Sequence, residues 1–405
     1  MSQIPDFSDI IKAQSTLRNI VKVTPLESSK SFSMMSGAQV FMKMENLQST
    51  GSFKVRGAYN MISALSAEEL SNGVVCASAG NHAQGVAYSA TRLGVKSTVF
   101  MPVFAPPLKV MATRSYGAEV VLTGDTFDDA FAAAMTFKEE SGAYFIHPFN
   151  HPDIIAGQGT IGLEIFKQLD DVQDVVVPIG GGGLIAGIAI ALKKFNPKIR
   201  IIGVEPEGAQ SMKLSMEQGR VSSLSSLHTI ADGIAVKTPG DLTLECVQKY
   251  VDELVVVSDA EISHALYLML QRAKILAEPS GVASMAAILT HKIDVKGRKV
   301  VPVISGGNIN MGTLEQIIEK GMMEEGMRVR LKVLTPDLAG ELKQLITILD
   351  SIRANIHDIQ HERSITTVPV GFVLITLTFN LQSIDQLQTI REAFDSKNLK
   401  YEVLS

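Results

Sequence analysis

The chain has 405 residues, 46% of them apolar and 6% aromatic, which is too long for one ordinary core and suits a soluble protein of two or three packed domains. A formal charge of −5 without any basic cluster argues against nucleic acid as a main partner. Only two cysteines occur, Cys76 and Cys246, so neither a disulfide framework nor a zinc spacing is present and a reducing cytoplasm is the default location.

Residues 1–10 are mixed polar, with Asp6 and Asp9 and no apolar stretch, so neither a secretory signal nor a transit peptide is expected. From about residue 38 to 317 apolar strands alternate with helical stretches, the pattern of parallel sheets covered by helices. The first segment that carries chemistry is Ser52-Phe53-Lys54-Val55-Arg56-Gly57. Most lysines are solvated surface charges, but Phe53 and Val55 flank this one with apolar groups. Desolvation lowers an amine's proton affinity and frees it to form a Schiff base with an aldehyde.

Next, the apolar run Val74–Ala77 enters Ser78-Ala79-Gly80-Asn81-His82-Ala83-Gln84-Gly85, and a helix is expected over 86–93. Small residues there let the backbone approach a ligand, and a helix N-terminus favours a carboxylate or phosphate; the bland alternative is a turn kept small for packing. His147 and His151 are each followed by proline and read as structural. A buried strand over 175–179 then meets Gly180-Gly181-Gly182-Gly183-Leu184. Four glycines in a row cost chain entropy and offer no side-chain contact, which favours a use for bare backbone N–H groups, most simply cradling a phosphate. The uncharged stretch 175–192 invites a membrane span, but Pro178 and the glycines would break such a helix. A further strand, 300–304, ends at Ser305-Gly306-Gly307-Asn308, where a serine can reach a ligand over the sheet.

Beyond residue 321 the character changes. Charged Glu324-Glu325-Gly326 leads into a period-two strand, Arg328 to Leu334, and a helical pattern follows over 337–352. Strands at 355–362 and 368–379, a helix at 384–394 and a strand at 401–404 complete a βαββαβ order.

The motifs around Lys54, Asn81, the glycine run and Ser305, in this order, resemble the fold-type II pyridoxal phosphate enzymes and specifically the threonine dehydratase (threonine ammonia-lyase) family, over roughly residues 5–321. Supporting stretches are Glu45-Asn46-Leu47-Gln48, His147-Pro148-Phe149, Ile155-Ala156-Gly157-Gln158-Gly159-Thr160, Ala231-Asp232-Gly233 and Glu278-Pro279-Ser280-Gly281. The resemblance implies an α/β catalytic domain, 1–321, of the tryptophan synthase β type: two parallel-sheet domains, the smaller (about 50–147) inserted in the larger, with pyridoxal 5′-phosphate in the cleft. It implies that Lys54 binds the cofactor aldehyde and removes the substrate Cα proton, that Phe53 packs beside the ring, and that Asn81 hydrogen-bonds the 3′ hydroxyl. Gly180, Gly181, Gly182, Gly183 and Leu184 would give backbone donors to the phosphate. Ser305 would face the pyridine nitrogen, and Ser78, Ala79, Gly80 and His82 would hold the substrate carboxylate.

A neutral serine partner leaves the ring a weaker electron sink than an aspartate would, which suits prompt loss of a β-substituent. The implied reaction is β-elimination of water from L-threonine, giving 2-oxobutanoate and ammonia. L-Serine lacks one methyl, worth only about 1–3 kcal/mol, so activity on both is expected. In the racemase pattern a second serine stands where this chain has Ala79, and a methyl cannot exchange a proton; cysteine synthases carry an aspartate in place of Val55. A monovalent or divalent cation site is left open, because Glu205 and the Ala209 carbonyl match the racemase-like pattern but Ser211 replaces an acid.

The βαββαβ segment, 328–405 after a linker at 322–327, resembles an ACT domain, although Pro336-Asp337-Leu338-Ala339-Gly340 departs from the usual turn. This implies an amino-acid effector such as isoleucine and a place in isoleucine biosynthesis, or a module that only braces or dimerises the enzyme. A homodimer or homotetramer is implied as well, with neither nucleic acid nor membrane as partner. The alternatives are a serine dehydratase or serine racemase of the same family, and a non-catalytic amino-acid sensor.

Overall fold

The alternation of buried strands and helices produces three sheets among the described residues. In the computed structural model these residues are 3–364, 366–383 and 385–404. Met1, Ser2, Ile365, Ile384 and Ser405 lie outside them, including the residue expected to open the last helix. The chain divides into two units, Met1–Asn310 and Met311–Ser405.

In the first unit β1 (Leu26–Ser28) pairs antiparallel with β2 (Gln39–Lys43). The chain then leaves for a second sheet made of β3 (Val74–Ala77), β4 (Ser97–Met101), β5 (Glu119–Leu122) and β6 (Tyr144–Phe145), all parallel, in the order β5-β4-β3-β6. It returns through β7 (Asp174–Pro178), β8 (Arg200–Pro206), β9 (Glu253–Val257) and β10 (Lys299–Pro302), giving the order β1-β2-β10-β7-β8-β9 with every pair but the first parallel. Val175, Val176, Val177, Val300 and Val301 are wholly buried, as strands covered on both faces require. The uncharged 175–192 stretch is therefore a strand, a glycine turn and the start of the helix Gly183–Phe195. Among the described residues no helix is long and apolar enough to cross a membrane.

Ligands of open α/β sheets lie beyond the carboxyl ends of the strands, and the expected motifs sit there, after β3, β7 and β10. A buried ionic cluster ties the segment bearing Lys54 to the larger sheet. Arg56 is wholly buried, two residues into the helix Lys54–Ala64. Its guanidinium donates to Glu45 Oε1 and Oε2 (both 2.8 Å) and to Glu164 Oε1 (2.7 Å) and Oε2 (3.0 Å). Lys43 Nζ adds a 2.6 Å bond to Glu164 Oε2, so two cations meet two carboxylates. Burial opposes the charge on Arg56, but its two carboxylates win and raise its pKa.

The second unit opens with the helix Met311–Glu324, followed by β11 (Arg328–Pro336), the helix Glu341–Ser351, β12 (Asn355–Glu362), β13 (Phe372–Asn380), the helix Asp385–Ser396 and β14 (Lys400–Val403). Its antiparallel sheet has the order β12-β13-β11-β14, around a core that includes Leu331, Leu349, Ile375, Leu377, Phe379 and Phe394. Three boundaries differ from expectation. The division falls at Asn310 rather than Gly321, and the expected linker 322–327 begins as helix, because buried Ile317 and a 3.4 Å Glu319–Arg330 pair tie that helix to the second unit. The helix expected over 337–352 starts only at Glu341, after Gly340 in the left-handed region at φ +103°. The strand expected from 368 starts at Phe372, since a turn closed by Phe372 N–H on the Pro369 carbonyl comes first.

Candidate active site

Lys54 is the first residue of its helix and half-buried. Its Nζ donates to the Pro148 carbonyl at 3.0 Å and lies 5.2 Å from the Phe53 ring centroid. Burial pulls the amine down to about 8, with Glu278 the charge that opposes this. The segment is fixed to the end of β10, where Phe53 N–H donates to the Ser305 carbonyl at 3.2 Å and Ser52 bridges to Gly306. On its other side the helix Asn81–Arg92 abuts closely enough that a Cβ at Gly85 would meet the Lys54 backbone at 3.1 Å.

That helix begins at Asn81, earlier than the expected residue 86, so the turn Ser78-Ala79-Gly80 leads straight into its free N–H groups. Ser78 Oγ accepts from Gly80 N–H at 3.2 Å. The Asn81 amide is oriented from both sides: Asn308 Nδ2 donates to Oδ1 at 2.7 Å, and Nδ2 donates to Glu278 Oε1 at 2.6 Å. One amide hydrogen of Asn81 remains for a ligand. His82 is buried with Nε2 2.9 Å from the Ile146 carbonyl, and burial, aided by the Lys54 charge, lowers it to about 3. The ring is neutral and turned to the backbone, so what His82 offers an anion is its own N–H in the first helical turn.

The glycine run follows β7, and the helix Gly183–Phe195 starts from Gly182 at φ +91°. A Cβ at Gly181 would stand 2.2 Å from the Phe149 ring, and one at Gly183 2.9 Å from the Phe149 carbonyl. The run is bare for close packing under Phe149 as well as for its N–H groups. Leu184 packs its side chain into the core and contributes only backbone to the turn. Ser305 is 3% exposed, with Oγ 3.5 Å from the Ser280 carbonyl. A desolvated amine, a bare-backbone cradle at a helix start and a neutral hydroxyl at the end of β10 fit pyridoxal 5′-phosphate: Lys54 for its aldehyde, residues 180–184 for its phosphate and Ser305 for its ring nitrogen.

Residues 17–306 match the pyridoxal-phosphate dependent enzyme family. The chain belongs to this family. The L-threonine ammonia-lyase of Thermotoga maritima is 50% identical over 93% of this chain and 94% of its own. The catabolic L-threonine dehydratase of Escherichia coli K12 is 47% identical over 76% of this chain and 94% of its own. Among solved structures, maize serine racemase is 38% identical with a TM-score of 0.75, covering 80% of this chain and 99% of that one. The protein is thus an enzyme of the pyridoxal-phosphate dependent family.

Not every expected residue gathers at Lys54. Both oxygens of Glu205 accept helix N–H groups, from Met212 and Lys213 at 2.8 Å each, and burial raises its carboxyl to about 7. Among the described residues no group of three or more His, Cys, Asp or Glu is placed to hold a metal. His151 caps the helix Pro152–Gln168 by accepting from Asp153 N–H. His147 Nδ1 closes a turn by accepting from Phe149 and Asn150 N–H. Sequence reasoning missed the roles of Glu278, Asn308 and Phe149, although each lies in a motif it singled out. The available signal was an acid placed directly before Pro279 and an apolar helix, a context in which a carboxylate needs a partner.

Proposed function

We propose that this enzyme deaminates L-threonine to 2-oxobutanoate and ammonia by β-elimination of water, and acts on L-serine as well. The observation that carries the reading is the Lys54 amine, half-buried and desolvated, set between the Asn81 helix and the end of β10. When bound, pyridoxal 5′-phosphate supplies the aldehyde that takes the substrate amine and the ring that accepts the Cα electron pair. Lys54 holds the base that takes the Cα proton. Backbone N–H groups from Ser78 to His82 hold the substrate carboxylate at the helix start. Ser305 would face the ring nitrogen as a neutral hydroxyl, without the proton-donating strength of an aspartate, and Phe53 would pack beside the ring. At Ala79 there is no second acid or base, which disfavours racemisation despite the likeness to maize serine racemase. The names of the threonine ammonia-lyase and dehydratase relatives support threonine as substrate.

The second unit has the strand order of a ferredoxin-like βαββαβ fold, and we read it as an ACT-like module through which an amino acid such as isoleucine slows the enzyme, in isoleucine biosynthesis. The catabolic relative covers 94% of itself within 76% of this chain, which supports a catalytic part that works without such a module. We place the enzyme in the cytoplasm, as a homodimer or homotetramer; its two cysteines are buried and free. No cation is part of the proposal, since among the described residues no group of three or more His, Cys, Asp or Glu is placed around Glu205 to hold one.

The test is the rate of 2-oxo acid release from threonine and from serine by the cofactor-loaded protein, with and without isoleucine. Fast release of 2-oxobutanoate, suppressed by isoleucine, is expected. Release that ignores isoleucine would remove the feedback reading alone, and conversion of L-serine to D-serine without 2-oxo acid would replace the dehydratase with a racemase.

A further inference from the structure

The chain leaves β6 of the second sheet through His147-Pro148-Phe149-Asn150 and enters the helix Pro152–Gln168 on its way back to the larger sheet. One side chain closes this crossover turn. His147 Nδ1 accepts from Asn150 N–H at 2.8 Å and from Phe149 N–H at 3.2 Å. That nitrogen therefore carries the lone pair, and the ring is neutral with its hydrogen on Nε2. Burial, which lowers the ring to about 4, keeps it so.

The residues that follow His147 touch different parts of the site. The Pro148 carbonyl accepts from Lys54 Nζ at 3.0 Å, which fixes the tip of a long side chain that otherwise has wide rotamer freedom. Phe149 lies against the glycine run: its ring is 2.2 Å from where a Cβ at Gly181 would stand, and its carbonyl 2.9 Å from where one at Gly183 would. Asn150 Nδ2 donates to Asp241 Oδ1 at 2.7 Å, at the start of the helix Asp241–Tyr250, and from that helix Thr243 Oγ1 donates to the Gly181 carbonyl at 2.6 Å. The amine and the glycine cradle come from distant segments of the chain, yet both rest on one short turn.

We propose that His147 is a positioning residue for cofactor capture: by holding the turn 147–150 closed, it sets the Lys54 amine and the glycine cradle at one fixed separation, the separation that a molecule carrying both an aldehyde and a phosphate must span. The inference rests on Lys54 being the cofactor lysine and on residues 180–184 holding the phosphate. His147 needs no contact with cofactor or substrate for this role, since it acts through Pro148 and Phe149. Without the acceptor at Nδ1 the turn samples other conformations, and the apparent affinity for cofactor falls with the fraction of molecules in which the turn is closed.

The experiment titrates the full-length, cofactor-free protein with pyridoxal 5′-phosphate and, separately, with pyridoxal, following the Schiff-base absorbance band in wild type, His147→Phe and His147→Asn. Pyridoxal has the aldehyde without the phosphate, so it reads the Lys54 end alone, and the ratio of the two affinities reads the cradle. Phenylalanine keeps the edge contact of the His147 ring on Phe149, at 4.8 Å between centroids, and removes the acceptor. Asparagine gives up the ring and keeps an acceptor suited to the same turn. Losing two backbone hydrogen bonds corresponds to roughly tenfold or more in Kd. His147→Phe is expected to weaken pyridoxal 5′-phosphate by that factor and pyridoxal by a smaller one, and His147→Asn to restore both. If His147→Phe does not fold, His147→Gln, whose amide sits one methylene farther out, takes its place with the same expected result. Wild-type affinity in His147→Phe or His147→Gln, whatever the melting temperature, overturns the proposal. So does a His147→Asn protein as weak as these, and so does unchanged capture of pyridoxal, which would leave the Lys54 end independent of the turn. Absence of a Schiff-base band in wild type as well would overturn the cofactor assignment instead, so the two failures are distinguishable.

Discussion

An amine in water keeps its proton far above neutral pH; the Lys54 amine is pulled to about 8 because burial removes the water that stabilises the ammonium. Lys54→Ala should leave the fold intact, since among the described residues the Nζ makes one hydrogen bond, to Pro148, and should abolish both turnover and the Schiff-base band; retained steady-state turnover would contradict the mechanism. The rate at which cofactor-free protein captures pyridoxal phosphate should rise with pH and level off above about 8, which stopped-flow absorbance can follow. Glu205 gives a second pH test, apart from the chemistry. Its folded value of about 7 lies above the ordinary 4.5, so the folded state keeps a proton that the unfolded chain has already shed. Its contribution to stability is complete below about 4.5 and is lost as pH rises through 7. Denaturant unfolding should therefore show wild type losing stability relative to Glu205→Gln across that window. Lys54 was legible in the sequence because its apolar neighbours are adjacent in the chain. Glu278 was not, because its hydrogen-bond partner, Asn81, comes from a distant segment.

At the level of elements, the glycine run and the Arg56 cluster hold the two sheets in working register. Gly181→Ala should push Phe149 away from the turn; overpacking of this kind costs about 1–3 kcal/mol, and cofactor retained after dialysis should fall alongside the melting temperature. A companion Phe149→Leu, which makes room, should recover part of the cofactor binding. Arg56→Met leaves Glu45 and Glu164 with Lys43 as their remaining cation. Breaking a buried ion pair costs about 3–5 kcal/mol, and calorimetry should register it, with activity lost in step because the same helix carries Lys54. Strand ends and turns were readable from apolar runs meeting glycine and serine. Strand neighbours were not: β10 lies between β2 and β7, and that long-range pairing is what brings Ser305 to Phe53. The start of the Asn81 helix was also misplaced, since small residues that signal a turn serve equally well as a first helical turn.

For the whole molecule, the division at Asn310 separates an α/β unit that holds every proposed catalytic group from a βαββαβ unit with its own core. A chain ending at Asn310 should keep 2-oxobutanoate release within a few fold of the full chain and lose any response to isoleucine; a response that survives would move the effector site into the first unit. The alternating pattern of the second unit was plain in β11, where buried and half-buried residues alternate, whereas its boundary was hidden because the helix Met311–Glu324 continues the catalytic chain without a break in composition. The catalytic unit is organised around one amine, that of Lys54. Borohydride reduction of the holoenzyme, followed by digestion and mass spectrometry, tests this most directly. The reduced cofactor should be found on Lys54 and nowhere else; reduced cofactor on any other lysine, such as the buried Lys43, would remove Lys54 from the catalytic role.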